Sequence, residues 1–110
     1  MKQKLIDKKC VPCEGGMPSL RIEEIKKYLL QLKKPWEVIE EKKISHSFKF
    51  KTFKEAITFV NKVADLAEKE NHHPNIHILY NKVKIVCTTH VIGGLSENDF
   101  ILAAKIEKLL

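Results

Sequence analysis

At Thr52 the hydrophobic pattern of this chain switches from a strand period to a helix period with no loop between. Before it, "KISHSFKFK" alternates: Ile44, His46, Phe48 and Phe50 share one side, and Ser45, Ser47, Lys49 and Lys51 the other. That is a strand with one buried face. After it, "TFKEAITFVNKVADLAEKE" sets Phe53, Ala56, Ile57, Val60, Val63, Ala64 and Ala67 on one stripe, the pattern of an amphipathic helix. Thr52 followed by Glu55 fits a capping box, so the boundary is written in hydrogen-bonding chemistry as well as in periodicity.

The flanking segments complete the pattern. Ile22, Ile25, Leu29 and Leu32 recur at helical spacing, with Glu23 and Glu24 at the positive end of the dipole. This predicts a helix over 21–32, which Pro35 ends. Residues 36–40 read as a short strand, with Glu41 and Lys42 as a hairpin turn. The long helix stops near Asn71. Beyond Pro74, "IHILY" and "KVKIVCTTH" read as two strands joined at Asn81-Lys82, the second closed by His90. Ile76, Ile78 and Tyr80 share a face, with Tyr80 read as core, as do Val83, Ile85 and Cys87. Gly93-Gly94 breaks the last strand. Ser96 opens a final helix with Asp99 at its third position, and Phe100, Ala103, Ala104 and Ile106 face inward.

The order is α-β-β-α-β-β-α. Two hairpins cannot bury a face alone. The economical fold is α+β, a four-stranded antiparallel sheet with three helices on one face. A free edge strand then invites pairing with a second copy, so a homodimer is expected.

Composition narrows the class. A chain of 110 residues is one domain, able to bury roughly two thirds of its unfolded surface. No apolar run approaches the length of about 20 residues that crosses a bilayer, and "MKQKLIDKKC" lacks the apolar core of a secretory signal. A cytoplasmic protein is expected, with no membrane partner. The net charge of +6 comes from lysines scattered over every element, and Arg21 is the only arginine. Nucleic-acid readers lean on arginine for bidentate contacts, so no nucleic-acid partner is expected. Residues 1–18 read as a tail, because "CVPCEGGMP" holds two prolines and two glycines. Residues 19–110 form the domain. Cys10, Cys13 and Cys87 are too few for a disulfide framework, and Cys87 falls inside a strand.

The chemistry-bearing cluster lies in "ENHHPNIHILY", which holds His72, His73 and His77. Pro74 fixes the backbone after the first pair and makes that turn rigid. His90, beside the glycine turn, can approach the pair if both hairpins share one sheet. Imidazole titrates near neutrality, so it can accept one proton and deliver another. Glu68, one helical turn before His72, is placed to orient it. Two readings stand on these residues: an exposed polar helix end, or an acid/base pocket. A Cys2His2 zinc site using Cys10 and Cys13 is a third, though Pro74 disrupts the helical spacing of His73 and His77. Cys10-Val11-Pro12-Cys13 also has the form of a thiol redox centre, but no strand precedes it. His46 reads as a packed core histidine, His77 falls on the outer sheet face, and Asp99 completes a helix cap.

Glu68, His72-His73-Pro74, Tyr80, His90 and Asp99 stand at a spacing that resembles the signature of the pterin-4a-carbinolamine dehydratase family. "YNKVKIVCTTH" and "GLSENDFILAAKIEKL" are similar to family sequence too, and the resemblance covers about residues 22–110. It implies a lyase that dehydrates 4a-hydroxytetrahydropterin to quinonoid dihydropterin, with the pterin as substrate and no metal or other cofactor. Carried over by position, His72 and His90 would be the acid/base pair, His73 would hold the pterin, and Glu68 and Asp99 would support the histidines. Pro74, Thr89, Val91 and Ile92 would complete the substrate site. A homodimer or tetramer is implied. Animal members also serve as dimerisation cofactors of a homeodomain transcription factor, which leaves protein interaction as the alternative function. Many relatives carry an acidic residue and a tryptophan after the histidine–proline unit. Here Asn75 and Ile76 stand there, so the resemblance implies a pocket short of one aromatic wall.

Overall fold

The computed structural model describes residues 4–12 and 17–110. Its elements are α1 (Ile22–Leu29), β1 (Glu37–Ile39), β2 (Lys43–Lys49), α2 (Phe53–Glu70), β3 (Asn75–Leu79), β4 (Lys82–Cys87) and α3 (Glu97–Glu107). Short 3-10 turns occupy Leu5–Asp7 and His90–Ile92. The four strands form one antiparallel sheet in the order β1-β2-β4-β3. The α+β fold expected from periodicity is the one observed.

The β2–β4 pairing joins the two hairpins. It sets Ile44 opposite Cys87, His46 opposite Ile85 and Phe48 opposite Val83. Ile76 and Ile78 of β3 extend the last two rows. This face carries the core, where Ile44, Phe48, Val83, Ile85 and Cys87 pack with Ile25 of α1, Ala56, Phe59 and Val63 of α2, and Phe100 and Leu102 of α3. His77 lies on the other face, opposite Lys84, as alternation requires. His46 is half-buried, tilted against the Trp36 ring and edge-to-face with Phe48. Its burial holds the imidazole below its ordinary pKa.

Several local expectations are corrected. Helix α1 ends at Leu29, and the chain turns so that Leu32 reaches the core while Leu30 stays 86% exposed. The first hairpin turns at Glu40-Glu41, both left-handed at φ 50° and 58°, because paired left-handed residues match the strand twist. The buried stripe of α2 runs through Ala56, Phe59, Val63 and Ala67, whereas Phe53 and Ala64 are exposed. Phe59 wins that competition because its ring packs on Phe48 and Phe50, at centroid distances of 4.9 and 5.1 Å. Tyr80 is not core: it sits in the β3–β4 turn at φ 53° and is 69% exposed. Strand β4 ends at Cys87, so His90 opens a 3-10 turn instead of closing the strand.

Helix α3 is buried on nearly all sides, from Asn98 to Ala104 and again at Ile106. The reason lies ahead of residue 19. The stretch over 4–12 lies along α3, with Leu5 buried in the core and Lys8 paired to Glu97 at 2.6 Å. A helix covered on both flanks has no solvent face to keep polar.

Candidate active site

The histidine pair is aimed by the way α2 ends. Asn71 caps the helix in a left-handed conformation, and the His72 N–H returns to the Ala67 carbonyl at 3.2 Å. Asparagine tolerates that backbone because its short polar side chain bonds locally. Pro74 then commits the chain to β3.

His90 is held from the other side. Thr89 pairs with Gly94 across a loop that Gly93 closes at φ 67°. Gly94 has a steric role, since a Cβ there would stand 2.7 Å from the Ser19 side chain. The loop is thereby fastened to the residues that lead into α1, with the Leu20 N–H bonded to the Leu95 carbonyl at 2.9 Å.

His72, His73 and His90 line one cleft of about 400 Å³. Thr89 and Val91 line it as well, with Asn71, Thr88, Asn98, Val11 and Pro12. Pro74 and Ile92 lie outside that lining and are half-buried beside it. Asp99 stands behind the cleft, fully enclosed. Glu68 stands on the surface, its side chain 78% exposed.

The two neighbouring histidines have different partners from those the spacing suggested. His72 Nε2 bonds Asp99 Oδ1 at 2.7 Å, and His73 Nε2 bonds Glu68 Oε2 at 2.5 Å. Glu68 therefore orients His73, not His72. The left-handed turn at Asn71 breaks the helical geometry on which the Glu68–His72 expectation rested. Asp99 has both oxygens occupied: Oδ2 accepts from the Thr89 hydroxyl at 2.8 Å and from the Ser96 N–H at 2.9 Å. The cap role and the histidine role are thus filled by opposite oxygens of one carboxylate. Donation of Nε2–H to Asp99 selects the tautomer in which Nδ1 of His72 carries the lone pair.

Buried Glu70 and half-buried Cys10 lie next to the elements that carry the site. The Cys10 N–H donates to Glu70 Oε1 at 2.9 Å, and Lys105 pairs with Oε2 at 2.7 Å. Burial opposes ionisation of Glu70, yet Lys105 and the Cys10 N–H outweigh it and hold the carboxyl below its ordinary value. Burial and then the Glu70 charge push the Cys10 thiol up to about 12, away from the thiolate that a redox centre or zinc site needs. Cys13 lies outside the described residues, and with it the second half of the CxxC pair. Among the described residues, no three His, Cys, Asp or Glu side chains gather as metal ligands.

Sequence reasoning missed Val11, Pro12, Asn71, Thr88 and Asn98 in the lining, and Glu70 behind it. Only Glu70 carried a legible signal. It continues the Val63–Ala67 stripe, and a carboxylate on an apolar stripe needs a buried partner.

Comparison with known proteins gives the chain its family. A family model described as pterin 4 alpha carbinolamine dehydratase matches residues 18–109. A protein of Alkaliphilus metalliredigens is 50% identical over 94% of this chain and 94% of its own length. One from Nitrosomonas eutropha is 49% identical over 96% of this chain and 93% of its own. Both carry, provisionally, the name pterin-4-alpha-carbinolamine dehydratase. The crystal structure of a transcriptional coactivator/pterin dehydratase from Brucella melitensis matches with a TM-score of 0.77 at 34% identity, covering 83% of this chain and 97% of that one. A pterin dehydratase-like protein described as a RuBisCO assembly factor in the alpha-carboxysome shares the fold, with a TM-score of 0.61 at 23% identity over 70% of this chain and 90% of that one. On the match over residues 18–109 and these identities, the chain belongs to the pterin 4 alpha carbinolamine dehydratase family.

Proposed function

We propose that this protein is a hydro-lyase that removes water from 4a-hydroxytetrahydropterin to give quinonoid dihydropterin, by histidine acid/base catalysis. The observation that carries the reading is one cleft lined by three imidazoles, one of them fixed by a buried carboxylate.

The reaction needs two proton movements. A base takes the proton from the ring nitrogen beside the 4a carbon, and the nitrogen–carbon double bond forms. The 4a carbon–oxygen bond breaks as an acid protonates the departing hydroxyl, which leaves as water. His72 and His90 divide these roles. Asp99 keeps His72 in one tautomer and stabilises its charged form when it holds a proton. His73, half-exposed at the rim and braced by Glu68, contacts the pterin, as do Thr89 and Val91. Nothing is oxidised, so the chemistry asks only for proton carriers. All the acid/base groups fall within 19–110. A diffusible pterin substrate and the free thiols of Cys10 and Cys87 suit a cytoplasmic setting.

The sheet edge at β3 and the turn after it bear Ile78, Leu79 and Tyr80, exposed by 44%, 74% and 69%. Such an edge supports pairing into a homodimer or tetramer. The same apolar edge, together with the likeness to the Brucella melitensis transcriptional coactivator/pterin dehydratase, favours protein interaction as the second reading.

The test is a direct assay with a 4a-hydroxytetrahydropterin. The wild type should accelerate dehydration. Replacing His72 and His90 together with alanine should lower the rate by about a thousandfold or more, with the far-ultraviolet circular dichroism unchanged. Activity that survives the double change would sink the mechanism.

A further inference from the structure

The segment ahead of residue 19 supplies part of the cleft. Val11 and Pro12 line it together with the three histidines, and Val11 is 63% exposed. With Val91 they are the aliphatic side chains of the lining; the rest of it is polar or imidazole. Ile76, which stands where the resemblance places a tryptophan, packs against the core and is not part of the lining.

Val11 and Pro12 are not loosely placed. Asn98 grips the Val11 backbone on both sides: Oδ1 accepts its N–H at 3.0 Å, and Nδ2 donates to its carbonyl at 2.6 Å. One residue earlier, the Cys10 N–H bonds Glu70, and the Cys10 thiol donates to the Asn98 carbonyl at 3.6 Å. Lys8 and Leu5 anchor the segment further back. Both grips come from the elements that hold His72. Asn98 directly precedes Asp99, and Glu70 ends the helix that leads into His72. The wall and His72 are therefore held in register by the start of α3 and the end of α2.

We propose that Val11 and Pro12, clamped by Asn98 and Glu70, form the apolar wall on which one face of the bicyclic substrate rests. In this chain an N-terminal wall does the work that an aromatic side chain on β3 would otherwise do. A flat ring gains affinity by covering aliphatic surface, and that gain is equal in ground and transition states. Val11 and Pro12 are thus binding residues, and Asn98 acts on affinity through them as a positioning residue. The proposal rests on the pterin reading above.

The experiment measures dehydration kinetics alongside equilibrium binding of dihydropterin, a flat pterin that cannot lose water. Val11→Asp should raise KM and the dihydropterin Kd by about tenfold while kcat stays within about twofold, the signature of lost uniform binding. Val11→Ala should shift both in the same direction by about threefold. Asn98→Ala should reproduce the KM shift with kcat again nearly unchanged. Val11 is largely exposed, so its substitutions leave the fold intact. An active wild type whose KM and Kd ignore Val11→Asp overturns the wall and leaves the dehydratase reading standing. A wild type that does not dehydrate, yet binds dihydropterin in a Val11-dependent way, overturns the dehydratase reading and keeps the wall. A wild type that neither binds nor turns over pterin overturns both.

Discussion

His72 and His73 are adjacent in sequence, and each has a carboxylate on Nε2, yet the two pairs differ in kind. The His72–Asp99 pair is enclosed, with side-chain exposures of 13% and 0%, and joins residues 27 apart. The His73–Glu68 pair is open, at 55% and 78%, and joins residues five apart. A charge-assisted bond in a low-dielectric interior is strong and fixes geometry. The same bond at the surface competes with water and salt, and is worth about 0–1 kcal/mol. One turn of chain thus presents a rigid imidazole and an adaptable one, which suits the proposed roles of proton carrier and ring contact.

The sharpest way to break this comparison is Asp99→Asn. The amide can still accept from some of the present donors, but it cannot stabilise a protonated His72. We expect kcat to fall by about a hundredfold or more, with loss of about 1–2 kcal/mol of stability because the Ser96 end of α3 is also weakened. Dehydration kinetics and urea unfolding read the two effects separately. A kcat within a few-fold of wild type would mean that the buried pair is structural only.

Glu70 extends the comparison to an enclosed carboxylate that is not bound to a histidine. Its carboxyl is held below its ordinary value of 4.5, so its stabilisation is complete above that pH and is lost as pH falls through the lower folded value. Glu70→Gln should therefore destabilise the protein at neutral pH and flatten the acid limb of its stability curve. Thermal melts across that range check this. Equal acid sensitivity in both proteins would remove Glu70 from the account.

The smallest effect belongs to the open pair. Glu68→Gln should cost under about 1 kcal/mol and change kcat by no more than about threefold, with a difference from wild type that shrinks as salt rises. A loss as large as that of Asp99→Asn would erase the distinction between the two pairs.

How much of the site is legible in the sequence follows the same line between local and distant. The His72-His73-Pro74 turn is readable because a helix stripe, a capping asparagine and a proline are local signals. Asp99 is readable as a helix cap from Ser96, three positions away, but its bond to His72 depends on how α3 lies over α2. Spacing assigns Glu68 to the wrong histidine because it carries ideal helical geometry one residue past the left-handed turn at Asn71. Alternation assigns Tyr80 to the core, but alternation does not survive a turn at φ 53°.

The sequence by itself determined the order of elements, the four-stranded sheet and the His72-His73-Pro74 turn, because period and caps act over a few residues. Only the tertiary structure decided which carboxylate serves which imidazole, and that Val11 and Pro12 share the cleft. The local His73–Glu68 contact follows from the left-handed turn at Asn71, whereas the His72–Asp99 and Val11–Asn98 contacts join residues 27 and 87 apart. Their specificity comes from the packing of α3 between the sheet and the N-terminal segment, which no local pattern encodes.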